Sequence, residues 1–174
     1  NRLESGTVQF NFVDFDITPM VETTIAQYTP LAEAKDISLR YHKETDSSTI
    51  IADEQATMQI LDNLISNAVK YSPHGKSVFV RVKSGVEAIR LEVEDEGPGI
   101  SPEDMKKLFV KFARLSAVPT GGEHSTGLGL SIVKKMVEAM NGRVWCESEF
   151  GKGATFDVEL PSVILPSTSL ENRV

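Results

Sequence analysis

Cysteine is almost absent from this 174-residue chain, which has Cys146 alone. A single cysteine cannot form a disulfide within the chain, and this favours a reducing compartment. The sequence also has no run of 18 or more apolar residues, the length that a transmembrane helix needs. These absences give no indication of a disulfide framework or of a membrane-spanning segment.

The chain also has fewer positively charged than negatively charged side chains. The chain has 18 Lys and Arg against 25 Asp and Glu, which gives a net charge of −7. This balance disfavours a nucleic-acid or anionic-membrane surface, so we expect no nucleic-acid partner. An anion that binds here must be held locally by backbone NH groups, a few cations or a metal. The length and the 40% of hydrophobic residues fit one soluble domain.

Strands and helices alternate along the chain, and the hydrophobic periodicity also predicts two hairpins. The predicted strands cover 7–15, 37–43, 48–52, 76–84, 87–95, 143–149 and 154–161; the predicted helices cover 17–35, 53–71, 101–109 and 127–142. We expect a kink or break at Pro30 in the first helix. This order predicts a layered α/β sandwich, with helices on one face of a sheet.

Two asparagines lie four residues apart in the apolar helical pattern ILDNLISNAVKY, residues 60–71. Asparagine is a poor helix former because its side chain competes for backbone hydrogen bonds. At about 100° per residue, Asn63, Asn67 and Lys70 fall on one helix face, with Tyr71 at its edge. Two interpretations stay open: a solvated face, or a site where an amide oxygen coordinates Mg²⁺ beside phosphate groups.

A predicted strand ends in the acidic, glycine-rich turn VEDEGPGI, residues 93–100. Such a turn is a common way to end a strand. Alternatively, Asp95 accepts a hydrogen bond from the exocyclic amino group of adenine, while Gly97 and Gly99 let a flat base approach the backbone. A carboxylate in that place repels the carbonyl oxygen of guanine, so this alternative predicts selectivity for adenine.

A second glycine-rich turn, STGLGLSI at residues 125–132, runs into a predicted helix. It lacks the Gly-Lys-Ser/Thr of a Walker loop and the third glycine of a Rossmann fingerprint. It is either a closely packed helix start or an anion site made of free NH groups and the helix dipole. Phe109 and Phe112 precede it, and we expect them to be core anchors for the loop at 113–126.

The order of these motifs closely resembles the catalytic, ATP-binding domain of sensor histidine kinases. The matching segments are NLISNAVKYS, DEGPGI, LFVKFAR, STGLGLSIVKKMVEAMNG and SEFGKGATFDVELP. The resemblance implies an α+β Bergerat fold: a two-layer α/β sandwich with a mixed, mostly antiparallel sheet, about three helices on one face and a mobile ATP lid. It implies the end of a preceding dimerisation helix or linker at 1–6, the catalytic domain at 7–161 and a flexible tail at 162–174.

The resemblance also implies which residues form the ATP site. Asn67 would be the Mg²⁺ ligand, Asn63 and Lys70 would act beside it at the phosphates, and Asp95 would bind the adenine amino group. The residues that would line the nucleotide are Asn63, Asn67, Lys70, Tyr71, Asp95, Gly97, Gly99, Ile100, Phe109, Arg114, Thr126, Gly127, Leu128, Gly129, Leu130 and Thr155.

This family transfers the γ-phosphoryl group of Mg·ATP to a histidine on a helical dimerisation domain of the same or a partner chain. A response-regulator receiver domain acts downstream. His42, His74 and His124 are not followed by the acidic residue typical of the acceptor, so the resemblance implies a phosphoryl donor without its acceptor. We expect this fragment to be monomeric and the full-length protein to be a homodimer. We also expect this part to be cytoplasmic, in a soluble protein or in a membrane-anchored sensor.

Related ATPases of the gyrase and heat-shock chaperone types carry a glutamate one helical turn before the metal-binding asparagine. Here that position is Asn63. An amide cannot accept a proton near neutral pH, so we expect Mg·ATP to bind without efficient hydrolysis. Two alternatives stay open: a degenerate module that binds nucleotide or a partner without transfer, and an ATP-hydrolysing machine, against which Asn63 argues.

Overall fold

A computed structural model describes residues 9–111, 113, 115, 119–121 and 129–162. In chain order the elements of these residues are β1 (Phe12–Asp16), α1 (Thr18–Ala34), β2 (Ser38–Glu44), β3 (Thr49–Asp53), α2 (Glu54–Tyr71), β4 (Ser77–Ser84), β5 (Ala88–Asp95), α3 (Pro102–Met105), α4 (Gly129–Ala139), β6 (Arg143–Ser148) and β7 (Ala154–Pro161).

The main sheet has five strands in the order β2-β4-β5-β7-β6. Strand β2 runs parallel to β4, and the other neighbours are antiparallel. The short strands β1 and β3 form a separate antiparallel pair. Helix α1 packs on β2, α2 on β4 and β5, and α4 on β6 and β7. This confirms the predicted α/β fold, a mixed, mostly antiparallel sheet packed against three main helices.

Helix α2 begins where its sequence dictates. Asp53 precedes it in an extended conformation, and its Oδ1 accepts a hydrogen bond from Ala56 N at 2.9 Å, as an N-cap does. The face of α2 that enters the core carries Ile60, Leu61, Leu64, Ile65, Ala68 and Val69. The polar face that includes Asn63 and Asn67 stays half-buried, and this matches the predicted periodicity.

Several boundaries differ from the sequence predictions; for example, α4 ends at Ala139 instead of residue 142. Helix α1 is not broken at Pro30 but continues to Ala34, because the packing of Ala32 in the core outweighs the hydrogen bond that proline removes. The first strand is Phe12–Asp16 instead of 7–15. The helix predicted at 101–109 has one turn, Pro102–Met105, after which turns closed by backbone hydrogen bonds between residues three apart continue the chain to Val110.

The face of the sheet opposite the helices is charged. Arg90 and Arg143 both bind the carboxylate of Glu159, at 2.7 and 2.8 Å. Their guanidinium carbons lie 5.0 and 5.1 Å from the centre of the Trp145 ring, within the range of a cation–π interaction. This cluster joins strands β5, β7 and β6 across the polar side of the sheet.

Asp157 lies in this charged layer, yet its side chain is fully buried. Its partner on β5 is Glu92, and among the described residues no NH group donates a hydrogen bond to its carboxyl oxygens. Burial, followed by a side-chain hydrogen bond with Glu147 and by the negative charges of Glu147 and Glu92, raises the pKa of Asp157 to about 8, although Arg90 acts in the opposite direction. Asp157 is therefore mainly a neutral carboxylic acid at pH 7.

Replacing this buried acid should change how stability depends on pH. The unfolded chain loses the Asp157 proton near pH 4 and the folded chain near pH 8, so the folded state binds more protons between these values. The free energy of unfolding therefore falls as pH rises through this window. Asp157→Asn should remove that fall and should be more stable than the wild type at pH 8 by about 1 kcal/mol or more.

Urea unfolding at pH 5 and pH 8 measures this difference, with Asp46→Asn, at an exposed position, as the matched control. Parallel pH profiles for the wild type and Asp157→Asn would contradict the assignment of a neutral, buried Asp157.

Candidate functional site

The polar face of α2 forms one wall of the candidate site. Asn63, Asn67, Lys70 and Tyr71 are all half-buried, and the two asparagines are one helical turn apart on one side of the helix. Amide oxygens are hard, neutral ligands for a cation such as Mg²⁺, and an ammonium group attracts anionic oxygens. The chemistry of this face therefore fits a metal ion together with a phosphorylated ligand.

The N-terminal end of α4 lies directly against this wall. A Cβ atom added to Gly129, the first residue of α4, would lie 3.0 Å from Asn63 Oδ1. A residue without a side chain therefore lets α4 begin this close to Asn63. The first NH groups of a helix have no partner within it, and the helix dipole is positive at this end. Helix α4 thus brings anion-attracting groups towards the asparagine face.

Asp95 ends β5 at another edge of the site. Its Oδ1 accepts a hydrogen bond from Gly97 N at 2.8 Å, and the backbone NH of Ala154 also donates to this carboxyl group. Burial raises the pKa of Asp95 to about 6 in spite of these two donors, and Glu94 adds a smaller increase. At pH 7 Asp95 is therefore mainly ionised, and its remaining lone pairs can accept further hydrogen bonds.

The two glycines after Asp95 allow backbone segments to meet. A Cβ atom on Gly97 would lie 3.1 Å from the carbonyl oxygen of Tyr71, and one on Gly99 would lie 2.5 Å from that of Glu149. Gly99 also has a positive φ of 74°, which favours glycine. The loop at 95–100 therefore touches the end of α2 on one side and the β6–β7 connection on the other. Sequence analysis left a strand-ending turn and ligand approach open for these glycines and did not predict these backbone contacts.

Ser148 is a site neighbour that sequence analysis missed. Its Oγ accepts a hydrogen bond from Ile100 N at 2.8 Å and donates one to Gly153 O at 2.7 Å. It thereby fixes the loop at 95–100 to the start of β7, where the half-buried Thr155 pairs with Glu94. A serine at the end of a strand has no periodic or compositional mark, so the sequence carried little signal for this role.

The C-terminal end of α2 is held from two sides. The buried Lys35 donates its ammonium protons to the carbonyl oxygens of Val69 and Lys70, at 2.9 and 3.1 Å. From the other side, Thr120 N donates to Lys70 O at 2.8 Å, and Thr120 Oγ1 donates to Ser72 O at 2.7 Å. These bonds satisfy carbonyl groups that a helix end leaves open, and they fix the turn that carries Lys70.

The remaining predicted residues have mixed outcomes. Phe109 is half-buried, with Lys134 Nζ 5.7 Å from its ring centre, whereas the core anchor of its segment is Leu108. Leu130 is partly buried against the core. Several predicted residues lie outside the part of the chain that the structure describes: Phe112, Arg114, His124, Thr126, Gly127 and Leu128.

Comparison with known proteins assigns the fold to a family. The family profile described as histidine kinase-, DNA gyrase B- and HSP90-like ATPase matches residues 52–164. The chain belongs to this ATPase family. The matched range contains the asparagine face of α2, the Asp95 loop and the start of α4, and family membership supports ATP binding by this module.

Solved histidine kinases have the same fold. The nucleotide-free catalytic domain of ThkA is 24% identical, with a TM-score of 0.77 over 88% of this chain and 97% of that one. Full-length ShkA, solved with AMPPNP, is 30% identical, with a TM-score of 0.78 over 95% of this chain. ThkA in complex with the response regulator TrrA is 22% identical, with a TM-score of 0.76 over 92% of this chain. The present chain spans 35% of the ShkA chain and 45% of the ThkA chain in that complex.

Across the described ranges, no helix is long and apolar enough to cross a membrane.

Removing the ammonium group at the end of α2 should destabilise the domain. Lys35→Met keeps the length of the side chain but leaves the carbonyl groups of Val69 and Lys70 with fewer donors. We expect the free energy of unfolding to fall by about 1–3 kcal/mol. Thermal unfolding measures the loss, and Lys135→Met, at an exposed position on α4, is the matched control. Equal effects of the two substitutions would contradict a capping role for Lys35.

A methyl group added at the start of α4 should weaken nucleotide binding without lowering the stability of the domain. Gly129→Ala should leave stability unchanged or raise it by up to about 1 kcal/mol, because alanine favours a helix more than glycine does. The added Cβ must displace the Asn63 amide, so affinity for Mg·ATP should fall. Thermal unfolding and calorimetric titration give the two quantities.

In an Asn63→Ala background there is no amide to displace, and Gly129→Ala should then cause no further loss of affinity. An unchanged affinity of the single variant would show that the contact between Gly129 and Asn63 does not matter for the nucleotide.

Proposed function

We propose that this chain binds Mg·ATP and donates its γ-phosphoryl group to a histidine on a separate dimerisation domain, as part of two-component signalling. The observation that carries this proposal is the approach of the α4 N-terminus to Asn63, where Gly129 leaves 3.0 Å between an added Cβ atom and the amide oxygen. A cation-binding face and an anion-attracting helix end meet there, as a metal-bound triphosphate requires.

In this proposal the polar face of α2 binds the phosphate groups of the nucleotide. Asn67 holds Mg²⁺ through its amide oxygen, and the ion supplies positive charge for the phosphate oxygens. Asn63 and Lys70 act beside it, the lysine as a further positive charge. Phosphoryl transfer depends mainly on positioning and charge neutralisation, and neither function requires a catalytic base on α2.

Asp95 binds the adenine base of the nucleotide in this proposal. No positive side chain of the described residues forms an ion pair with its carboxylate, and the two backbone donors that hold it leave lone pairs free for the adenine amino group. Gly97, Gly99 and Ile100 form the loop beside it, and Tyr71 lies at the junction with α2. The rest of the proposed lining consists of Phe109, Arg114, Thr126, Gly127, Leu128, Gly129, Leu130 and Thr155.

Asn63 favours transfer over hydrolysis. An ATPase that attacks with water needs a group to accept the water proton, and an amide cannot do this near neutral pH. A histidine nucleophile brings its own basic nitrogen. The side chain at this position therefore supports a kinase donor domain more than an ATP-hydrolysing machine.

We further propose the partners and the place of the domain. The acceptor histidine lies on a helical dimerisation domain, and a response-regulator receiver domain follows, the type of partner that TrrA is for ThkA in their solved complex. Residues 1–6 belong to the connection with the dimerisation domain, 7–161 to the catalytic domain and 162–174 to a tail. The isolated domain is a monomer on the cytoplasmic side, and the full-length protein is a homodimer.

Calorimetric titration of Mg·ATP tests the nucleotide assignment. The wild type should bind, and Asp95→Asn should bind about tenfold more weakly or worse, since the amide presents a weaker acceptor than a carboxylate. Asp46→Asn, at an exposed position, should bind like the wild type. Absence of binding to the wild type, or equal affinities of all three proteins, would overturn the proposal.

The affinity for ATP should depend on the ionisation of Asp95. Because the pKa of this carboxyl group in the free protein is about 6, affinity should fall as pH is lowered from 7 to 5, when protonation removes the negative acceptor. Fluorescence titrations with a labelled ATP at several pH values measure the profile. Asp95→Asn should show a flatter profile over the same range, and an identical slope in both proteins would exclude Asp95 as the titrating group.

A further inference from the structure

We propose that Ser148 is a positioning residue that orients Asp95 for adenine and so contributes to the selectivity for ATP. The inference rests on the proposed function, because it assigns a role at the same nucleotide site. Ser148 lies at the end of β6, is half-buried and was not among the residues that sequence analysis selected.

The connection between Ser148 and Asp95 runs through one peptide group. Ser148 Oγ donates its proton to the carbonyl oxygen of Gly153 at 2.7 Å. The NH of the same peptide group belongs to Ala154, and it donates to the Asp95 carboxyl group. A peptide group is planar, so a hydroxyl that fixes its carbonyl oxygen also fixes the direction in which its NH points. Ser148 therefore determines the orientation of a donor to Asp95.

The sheet register places these groups in one row. Asp95 pairs with Ala154 across β5 and β7, and Ala154 pairs with Ser148 across β7 and β6. The backbone of Gly153 packs tightly against that of Asp95, and a Cβ atom on Gly153 would clash there. This packing restricts the peptide group of Gly153 and Ala154 on the Asp95 side, and the serine hydroxyl holds its carbonyl oxygen on the other side.

The same hydroxyl also binds the other end of the loop at 95–100. Ser148 Oγ accepts a hydrogen bond from Ile100 N at 2.8 Å, and Gly151 N donates to Pro98 O at 2.6 Å. The serine hydroxyl thus donates its proton towards the Asp95 end, and its oxygen accepts a hydrogen bond at the Ile100 end. Alanine can replace neither bond, whereas threonine retains a hydroxyl that can make both.

The consequence of this arrangement is selectivity. Inosine triphosphate differs from ATP by a carbonyl oxygen at the place of the adenine amino group, so only ATP has an N–H donor at that position for a well-oriented Asp95 carboxylate. A carboxylate that loses its orientation recognises the amino group less well. Loss of the Ser148 hydroxyl should therefore weaken ATP binding more than inosine triphosphate binding.

The test compares the two nucleotides in matched variants. The dissociation constants of Mg·ATP and Mg·inosine triphosphate are measured for the wild type, Ser148→Ala and Ser148→Thr. Ser84→Ala is the control. Ser84 also makes a side-chain hydrogen bond, to Thr45, but it is exposed and lies at the C-terminal end of β4. We expect Ser148→Ala to reduce the preference for ATP about fivefold or more. We expect Ser148→Thr and Ser84→Ala to retain that preference.

A purely structural role would give a different result. Ser148→Ala would then weaken both nucleotides equally, or only lower the melting temperature, and either outcome overturns the inference. Should Ser148→Ala fail to fold, Ser148→Cys replaces the hydroxyl by a weaker hydrogen-bonding group of similar size, and the same loss of preference is expected.

The nucleotide affinities of the wild type show whether a negative result contradicts this inference alone or also the proposed function. If the wild type binds ATP in preference to inosine triphosphate and Ser148→Ala keeps the preference, the inference alone is wrong. If the wild type binds neither nucleotide, the proposed function is wrong and the role of Ser148 in selectivity falls with it.

Discussion

The position of α2 between the sheet and the start of α4 is the constraint on which the site depends. One face of the helix is sealed into the core by residues such as Leu61 and Ile65, so the opposite face cannot rotate away from α4. Gly129 lets α4 approach until its first residue meets Asn63, and Lys35 with Thr120 fixes the last turn. Burial of apolar surface thus supplies the rigidity that positions the polar groups.

The sheet supplies the other half of the site in a similar way. Strands β5, β7 and β6 bring Asp95, Ala154 and Ser148 into one row, and the glycines near them remove the side chains that would keep the backbones apart. The polar face of the sheet is stabilised by ion pairs, yet it also contains the buried, neutral Asp157. Both buried acids have raised pKa values, but only Asp95 has backbone donors that favour its ionised form.

Much of this arrangement was predictable from sequence, because it follows from local rules. The period of α2 predicted which face enters the core, and Asp53 marked where the helix begins. Contacts between distant segments were not predictable in this way. The bonds of Lys35 to α2, of Thr120 to Ser72 and of Ser148 to the Asp95 loop depend on tertiary packing. Pro30 shows the same limit, since packing beyond it keeps α1 helical against the local preference.

The central claim is that this domain holds ATP for transfer and does not activate water. The most direct measurement is the release of inorganic phosphate from saturating Mg·ATP over hours, with the bound nucleotide identified at the end. The account predicts release close to that of a protein-free control and recovery of the nucleotide as ATP. Steady, multiple-turnover release that depends on Asn67 would contradict it, because water would then be activated at the asparagine face without a carboxylate base at Asn63.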